Sequence, residues 1–295
     1  MSSPTHSAST MADLRIATRG SDLAVAQARA VARRLEAAHP DLETALLEVS
    51  TTGDRDRVSP VATLTEIGAF VRAVQGAVLD GRADLAVHSC KDLPVEGPAE
   101  LIAFYPEREA PWDVLCGRDL ESLPTGAKVG TGSPRRAAQL RALRPDLAVA
   151  EIRGNVDTRL SRVETGDYDA VVLAEAGLRR LGRTGEIRHR FSLAEMVPAP
   201  AQAALAVEGR VDDPLLDLVH TIDDPITRLA VETERALLRS TKAGCRSALG
   251  ALAHVEGSSI TVAGFVEDEA GPRFAVASGA APESAARALQ ESLGL

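Results

Sequence analysis

Four short segments hold residue types able to do chemistry. In Val87-His88-Ser89-Cys90-Lys91-Asp92-Leu93-Pro94 an apolar strand runs into one of only three lysines, then an aspartate, then a proline turn. An aspartate at the C-terminal end of a strand can act as a general acid or hold a cation. The plain alternative is a turn aspartate bonded to its own backbone. His88, inside the strand, reads as a packed core histidine rather than a base. In Gly130-Thr131-Gly132-Ser133-Pro134-Arg135-Arg136 a strand enters a hydroxyl-rich turn and then a helix with an early proline. Free N–H groups at such a helix start favour an anion. Two arginines in the first turn oppose the helix dipole, which points to a ligand as their partner. The segment is not a phosphate-binding GxxxxGK[ST] loop.

The third segment is Arg153-Gly154-Asn155-Val156-Asp157-Thr158-Arg159-Leu160, a strand end with a second arginine on the following helix. Arg179-Arg180 closes the next strand–helix unit. Any one of these arginines fits a solvated surface, but a series of them, each at the same kind of place, is less easily dismissed, and arginine can grip a carboxylate with paired hydrogen bonds. The fourth is Ala243-Gly244-Cys245-Arg246, where a cysteine beside glycine reads either as an exposed nucleophile or as a small buried hydrophobe.

Alternating elements must position these segments. Leu14–Thr18 reads as a strand. Ser21 and Asp22 open an Ala-rich helix that Pro40 stops, and Glu43–Ser50 alternates as a strand. A polar loop spans Thr51–Pro60. A helix over Phe70–Leu79 ends at Gly81, and strands follow at Asp84–His88 and Leu101–Tyr105. Pro106 to Pro111 marks a boundary. Beyond it come strands at Lys128–Thr131, Leu147–Ile152 and Ala170–Ala174. Helices alternate with them from Ser133-Pro134 through Leu143, at Val156–Glu164 and at Gly177–Leu181. Met196–Pro200 reads as a return linker and Thr227–Leu238 as a helix. The C-terminal part holds strands at His254–Val255, Ile260–Val266 and Phe274–Ala277, then a helix from Pro282. The alternation predicts α/β architecture with parallel sheets and right-handed crossovers, with ligands beyond the carboxyl ends of strands.

Composition narrows the classes. At roughly 100–200 residues per domain, 295 residues predict two or three domains. A net charge of −9 argues against a general nucleic-acid binder. The charge is uneven: residues 111–200 carry 14 basic and 12 acidic side chains, net +2, and the remainder is net −11. No apolar run approaches a membrane span. Cys90, Cys116 and Cys245 are far apart and form no CxxC, so neither a disulfide framework nor a metal site is expected. Residues 1–12 lack the basic and apolar regions of a secretory signal. They read as a disordered leader of a cytoplasmic protein, with Met11 as an alternative start.

Taken together, these segments resemble the porphobilinogen deaminase (hydroxymethylbilane synthase) family. The resemblance runs through Arg15–Ala24, Gly81–Pro94, Val129–Leu140, Arg153–Val163, Tyr168–Arg183, Leu205–Arg210, Thr233–Leu238 and Ala243–Cys245. It implies an α/β fold of three domains: two like the lobes of type II periplasmic binding proteins, and a small C-terminal α/β domain. The implied boundaries are 13–107 with 202–222 for domain 1, 108–201 for domain 2 and 223–295 for domain 3. The implied activity, in tetrapyrrole biosynthesis, is the deaminating condensation of four porphobilinogens into linear hydroxymethylbilane. The chain grows on a dipyrromethane cofactor that the enzyme assembles from its own substrate. The family's thioether attachment falls on Cys245 and its catalytic aspartate on Asp92. Loss of ammonia from porphobilinogen leaves a cationic methylene-pyrrolenine, and a carboxylate facing the pyrrole N–H groups stabilises such cations and assists proton transfer.

Each pyrrole carries an acetate and a propionate. The resemblance assigns their grip to Arg19, Arg135, Arg136, Arg153, Arg159 and Arg180, with Lys91 beside the acid. Ser21, Ser89, Thr131, Ser133, Gly154 and Gln202 are implied as further binding positions. No metal is implied, and the family expectation is a monomer. The sequence also departs from the family. A Gly-Gly-Lys-Gly stretch is shortened to Glu66-Ile67-Gly68-Ala69-Phe70, and Gly-Gln-Gly is replaced by Ala201-Gln202-Ala203, which stiffens a hinge. Two competing readings are a two-lobed binding module without chemistry and a paralogue that keeps the cofactor but turns over little.

Overall fold

The computed structural model describes residues 14–49, 64–241 and 248–295, with backbone alone for 64–67. The leader 1–12, the loop Thr51–Pro60 and Cys245 lie outside the described residues. In chain order the first elements are β1 (Leu14–Arg19), α1 (Asp22–Ala38), β2 (Thr44–Val49), α2 (Leu64–Leu79), β3 (Leu85–Ser89) and β4 (Leu101–Phe104). Next come β5 (Asp113–Gly117), β6 (Lys128–Gly130), α3 (Pro134–Leu143), β7 (Ala148–Ala150), α4 (Val156–Glu164), β8 (Ala170–Ala174), α5 (Glu175–Arg180) and β9 (Ile187–Arg190). The chain closes with β10 (Leu205–Arg210), α6 (Leu216–His220), α7 (Pro225–Thr241), β11 (Ala248–Glu256), β12 (Ser259–Asp268), β13 (Gly271–Gly279) and α8 (Pro282–Leu293).

The first sheet has the order β2-β1-β3-β10-β4 and the second β7-β6-β8-β5-β9. Both are covered on two faces, which is why β3 and β8 read as unbroken apolar runs. The hydroxyl of Ser21 caps α1, which buries Gln27, Ala28, Val31, Ala32 and Leu35 as one stripe against Leu14, Ile16, Leu85 and Val207. On the opposite face α2 sets Val74, Ala77 and Val78 against Ala17 and Ala86. In the second lobe Leu140 of α3 and Phe191 join Leu115, Val129 and Val172 on one face, and Leu160 and Leu178 meet Val114 and Val171 on the other.

The sheets are mixed rather than parallel. β1 is parallel to β2 and β3, and β6 to β7 and β8, as the alternation predicts. β10, however, runs antiparallel to β3 and β4, and β5 antiparallel to β8 and β9. The reason is the crossing of the chain between lobes: β5 enters from the first lobe and β10 from the second, so neither follows a helical crossover in its own sheet. Several element limits also shift. α2 starts at Leu64 rather than Phe70, because Gly68 is carried inside the helix, at a cost of about 1 kcal/mol relative to alanine. The three C-terminal strands are longer than the short apolar runs at their centres.

The third unit is an antiparallel meander, β11-β12-β13, with α7 and α8 packed on it through Leu237, Leu249, Val262 and Leu289. It meets the second lobe where Ala248 and Phe265 contact Ala138 of α3 and Val197. Among the described residues no helix is long and apolar enough to cross a membrane.

Candidate active site

The C-terminal ends of β1, β3, β6 and β7 carry most of the residues singled out above. β3 ends at Ser89, and Cys90–Asp92 make one tight helical turn. That turn is fixed at its base by the Cys90 N–H donating to the Ala204 carbonyl at 3.0 Å. Gln27, buried on α1, donates to the Ser89 hydroxyl at 3.4 Å. Lys91 and Asp92 are partly buried side by side. Burial pushes the Lys91 ammonium down to about 8; Asp92 and Asp113 oppose the shift, and Arg136 and Arg135 add to it. Lys91 therefore lies within the field of the second lobe. Arg19, at the end of β1, stacks its guanidinium 3.9 Å over the Phe70 ring. Exposed Ser21 caps α1 by accepting from the Ala24 N–H at 3.4 Å.

In the second lobe, buried Thr131 accepts from the Ser133 N–H at 3.2 Å, and Ser133 caps α3. Arg135 and Arg136 are both buried on Asp113. Arg135 reaches one carboxylate oxygen at 2.7 Å and the Val197 carbonyl at 2.6 Å. Arg136 reaches the other oxygen at 2.8 Å and the Val172 carbonyl at 2.9 Å. Burial alone would raise the Asp113 carboxyl. The two guanidiniums outweigh that and, with the Gln202 amide, hold it down to about 2. The mismatch between these arginines and the helix dipole is thus answered inside the protein.

Arg153 is exposed and bonds Glu151 at 2.9 Å. Gly154 has φ 104°, and a Cβ there would come within 2.7 Å of the Thr158 side chain, so this turn requires glycine. Arg159 donates to the Gly154 carbonyl at 2.8 Å. Burial, with help from Arg136, pushes it down to about 10. Arg180 is buried between the crossing segments, on Glu109 at 2.9 Å and the Ala203 carbonyl at 2.5 Å. Gln202 bonds the Pro111 carbonyl at 2.7 Å and Asp113 at 3.0 Å. Arg19, Lys91 and Arg153 thus stand at strand ends and Arg159 on the helix that follows one, while Arg135, Arg136, Arg180 and Gln202 also tie the framework together.

Two framework residues escaped the sequence. Asp113 is one. The other is Glu234, fully buried on α7, which takes a two-point grip from Arg108 at 2.7 and 3.1 Å and bonds the N–H groups of Ala201 and Ala253. Their partners lie 19 to 126 residues away, so no local pattern signals them.

Burial pushes the thiols of Cys90 and Cys116 up to about 12 in each case, which makes both inert as nucleophiles. The described flanks of Cys245 are well anchored. α7, which ends at Thr241, sends Arg235 to the Pro94 and Val95 carbonyls just after the acid turn, at 2.7 and 3.1 Å. Ala248 contacts Ala138 on the arginine-bearing helix α3.

A family model described as porphobilinogen deaminase, dipyromethane cofactor binding domain, matches residues 14–217. The porphobilinogen deaminase of Mycobacterium marinum is 48% identical over 90% of this chain and 84% of its own. That of Syntrophobacter fumaroxidans is 40% identical over 96% and 93%. Among solved structures, a nutrient-binding protein from Burkholderia cenocepacia bound to methionine aligns with a TM-score of 0.41 and 15% identity, covering 78% of this chain and 96% of that one.

Proposed function

The chain belongs to the porphobilinogen deaminase family, and from that premise we propose that Asp92 and Cys245 carry its chemistry. The enzyme joins four porphobilinogens, with loss of ammonia, into hydroxymethylbilane for tetrapyrrole biosynthesis. The donor set fits a dipyrromethane. Its pyrrole carboxylates need cations that are not fully neutralised from within. Lys91 and Arg159 are both held below their ordinary ranges by burial and neighbouring positive charge, a field that an anionic ligand relieves. Bound dipyrromethane supplies the acceptor carbon for the first added pyrrole.

The chain's own residues do the rest. With the cofactor bound, the Asp92 carboxylate would stabilise the cation left when ammonia departs from porphobilinogen and would take up the proton released after C–C bond formation. Lys91, Arg19, Arg153 and Arg159 hold acetate and propionate groups, with Ser21, Ser89, Thr131, Ser133 and Gly154 as further contacts. The family resemblance adds Arg135, Arg136, Arg180 and Gln202 as binding positions, which here are held on partners inside the framework. The family resemblance puts the thioether on Cys245, in keeping with the burial of the two described thiols, Cys90 and Cys116. We place domain 1 at 13–107 with 202–222, domain 2 at 108–201 and domain 3 at 223–295. The same reading takes the protein as a cytoplasmic monomer that binds no nucleic acid, in keeping with its charge of −9.

The observation that carries this reading is the acid–lysine turn of β3 set within the field of the second lobe's arginines. The intact mass of the purified, denatured protein, followed by peptide mapping, tests it. Two deaminated porphobilinogen units on the Cys245 peptide are expected, and Cys245→Ser should carry none. An adduct on Cys90 or Cys116, or an unmodified chain after incubation with porphobilinogen, would overturn the assignment.

A further inference from the structure

The interface between the first sheet and α2 is apolar, built from Ala17, Val49, Val74, Ala77, Val78, Ala83 and Ala86. Three polar side chains are buried beside it: Gln75 on α2 (2% exposed), His88 on β3 (6%) and Glu208 on β10 (6%). In the β3–β10 ladder, Ala206 lies opposite His88 and Glu208 opposite Ala86, so His88 and Glu208 share a face. Gln75 donates to both oxygens of Glu208, at 3.2 and 2.9 Å. The His88 Nε2 stands 3.2 Å from Glu208, close but off the line of a hydrogen bond.

Such a cluster is a poor device for stability. A buried carboxylate that meets no guanidinium among the described residues pays a desolvation cost, and apolar side chains of similar size often serve as well. Its location suggests another use. His88 is the last but one residue of β3, four before Asp92. Behind the turn, a cavity of about 240 Å³ is bordered by Gln75, Leu93, Pro94, Tyr105, Glu208 and Arg235. Leu93 and Pro94 directly follow Asp92, so the back of the acid turn has an incomplete wall. Its position depends on how firmly the end of β3 is held. The far side of the cluster is α2, which also carries Phe70 beneath Arg19.

We propose that Glu208, acting through His88 and Gln75, is a positioning residue that fixes the end of β3 and thereby the Asp92 carboxylate. This rests on the reading of Asp92 as the reacting acid. Glu208→Leu in the cofactor-loaded enzyme should lower kcat by about 10–10²-fold, the loss that a misplacement of about 1 Å produces. KM and the mass of the bound cofactor should stay at parental values. Glu208→Gln, which keeps the shape and one acceptor for Gln75, should recover most of the loss. In the Asp92→Asn background Glu208→Leu should cost nothing further, since the two act on one step. Parental kcat in folded Glu208→Leu, or losses that multiply with those of Asp92→Asn, would overturn the proposal. If Glu208→Leu does not fold, the apolar triple variant Gln75→Leu, His88→Leu, Glu208→Leu takes its place with the same expectations. Parental turnover in Asp92→Asn alone would instead overturn the reading of the site beneath it.

Discussion

The two lobes share one strand order and differ in what their crossing strands carry. In each sheet the fourth strand in order is antiparallel and arrives from the other lobe: β10 in the first, β5 in the second. Each brings a buried carboxylate, Glu208 or Asp113. Asp113 is matched by two guanidiniums and an amide, whereas Glu208 has an amide and a histidine. The Asp113 cluster of the second lobe is therefore matched from within, and Arg135 and Arg136 double as framework. The first lobe leaves an acid and a lysine at the cleft. One topology thus supports a fixed cationic wall and an acid turn.

The sharpest way to break this contrast is at one carboxylate of each lobe, Asp92 and Asp113. Asp92→Asn should keep the fold and lose turnover by about 10²–10⁴-fold, the usual scale for a removed acid–base group. Circular dichroism and steady-state rates check it, and near-parental rates would refute the role. Asp113→Asn should do the reverse, costing about 3–5 kcal/mol of stability because two guanidiniums stay buried without their counter-charge. Denaturant titration reads it. The pH dependence has the same origin. The Asp113 carboxyl titrates lower folded than unfolded, so its stabilisation is complete above about 4 and is lost as pH falls through about 2. Acid unfolding should thus begin earlier in the parent than in a variant with an apolar replacement of the whole Asp113, Arg135 and Arg136 cluster.

Lys91 gives a smaller, reversible test of the cleft. With its ammonium down to about 8, it loses charge as pH rises through that value. The rate at which the cofactor-free chain takes up porphobilinogen should fall over that range as one carboxylate grip disappears. Lys91→Arg stays charged and should move the fall to higher pH. A profile identical in both enzymes would remove Lys91 from substrate binding.

What was legible followed the range of each interaction. β1, β3 and β8 announce themselves as apolar runs, and the caps Ser21 and Ser133 sit one residue before their helices. The strands β5, β9 and β10 carry no such local signature. They lie close to the crossings at Pro106–Pro111 and Met196–Pro200, outside the strand–helix alternation, and their pairing is set by chain segments far away. Arg135 and Arg136 were legible as charges that oppose a helix dipole. Their partner Asp113 was not, being 22 and 23 residues distant. Gln202 stands out through the family resemblance, yet its bonds to Pro111 and Asp113 emerge only once the crossings are in place.

The crossing itself offers the smallest test and bears on both lobes at once. Ala201 and Ala203 adopt φ of 59° and 71°, in the left-handed region that favours glycine. Each alanine there costs roughly 1–2 kcal/mol. The conformation persists because every neighbour is tied: the Ala201 N–H to Glu234, the Gln202 carbonyl to Arg108, the Ala203 carbonyl to Arg180, the Ala204 carbonyl to Cys90. Ala201→Gly or Ala203→Gly removes the strain, but it also frees the unfolded chain by about 0.4–1 kcal/mol. The net effect on stability should be a gain of about 1 kcal/mol or less, seen as a small rise in Tm. Hydrogen exchange at Ala204 and Leu205 should quicken, because glycine admits alternative backbone states that alanine forbids. A fall in Tm would mean that the ties, rather than the residue types, set the conformation without strain, and that the crossing is as relaxed as the strands it joins.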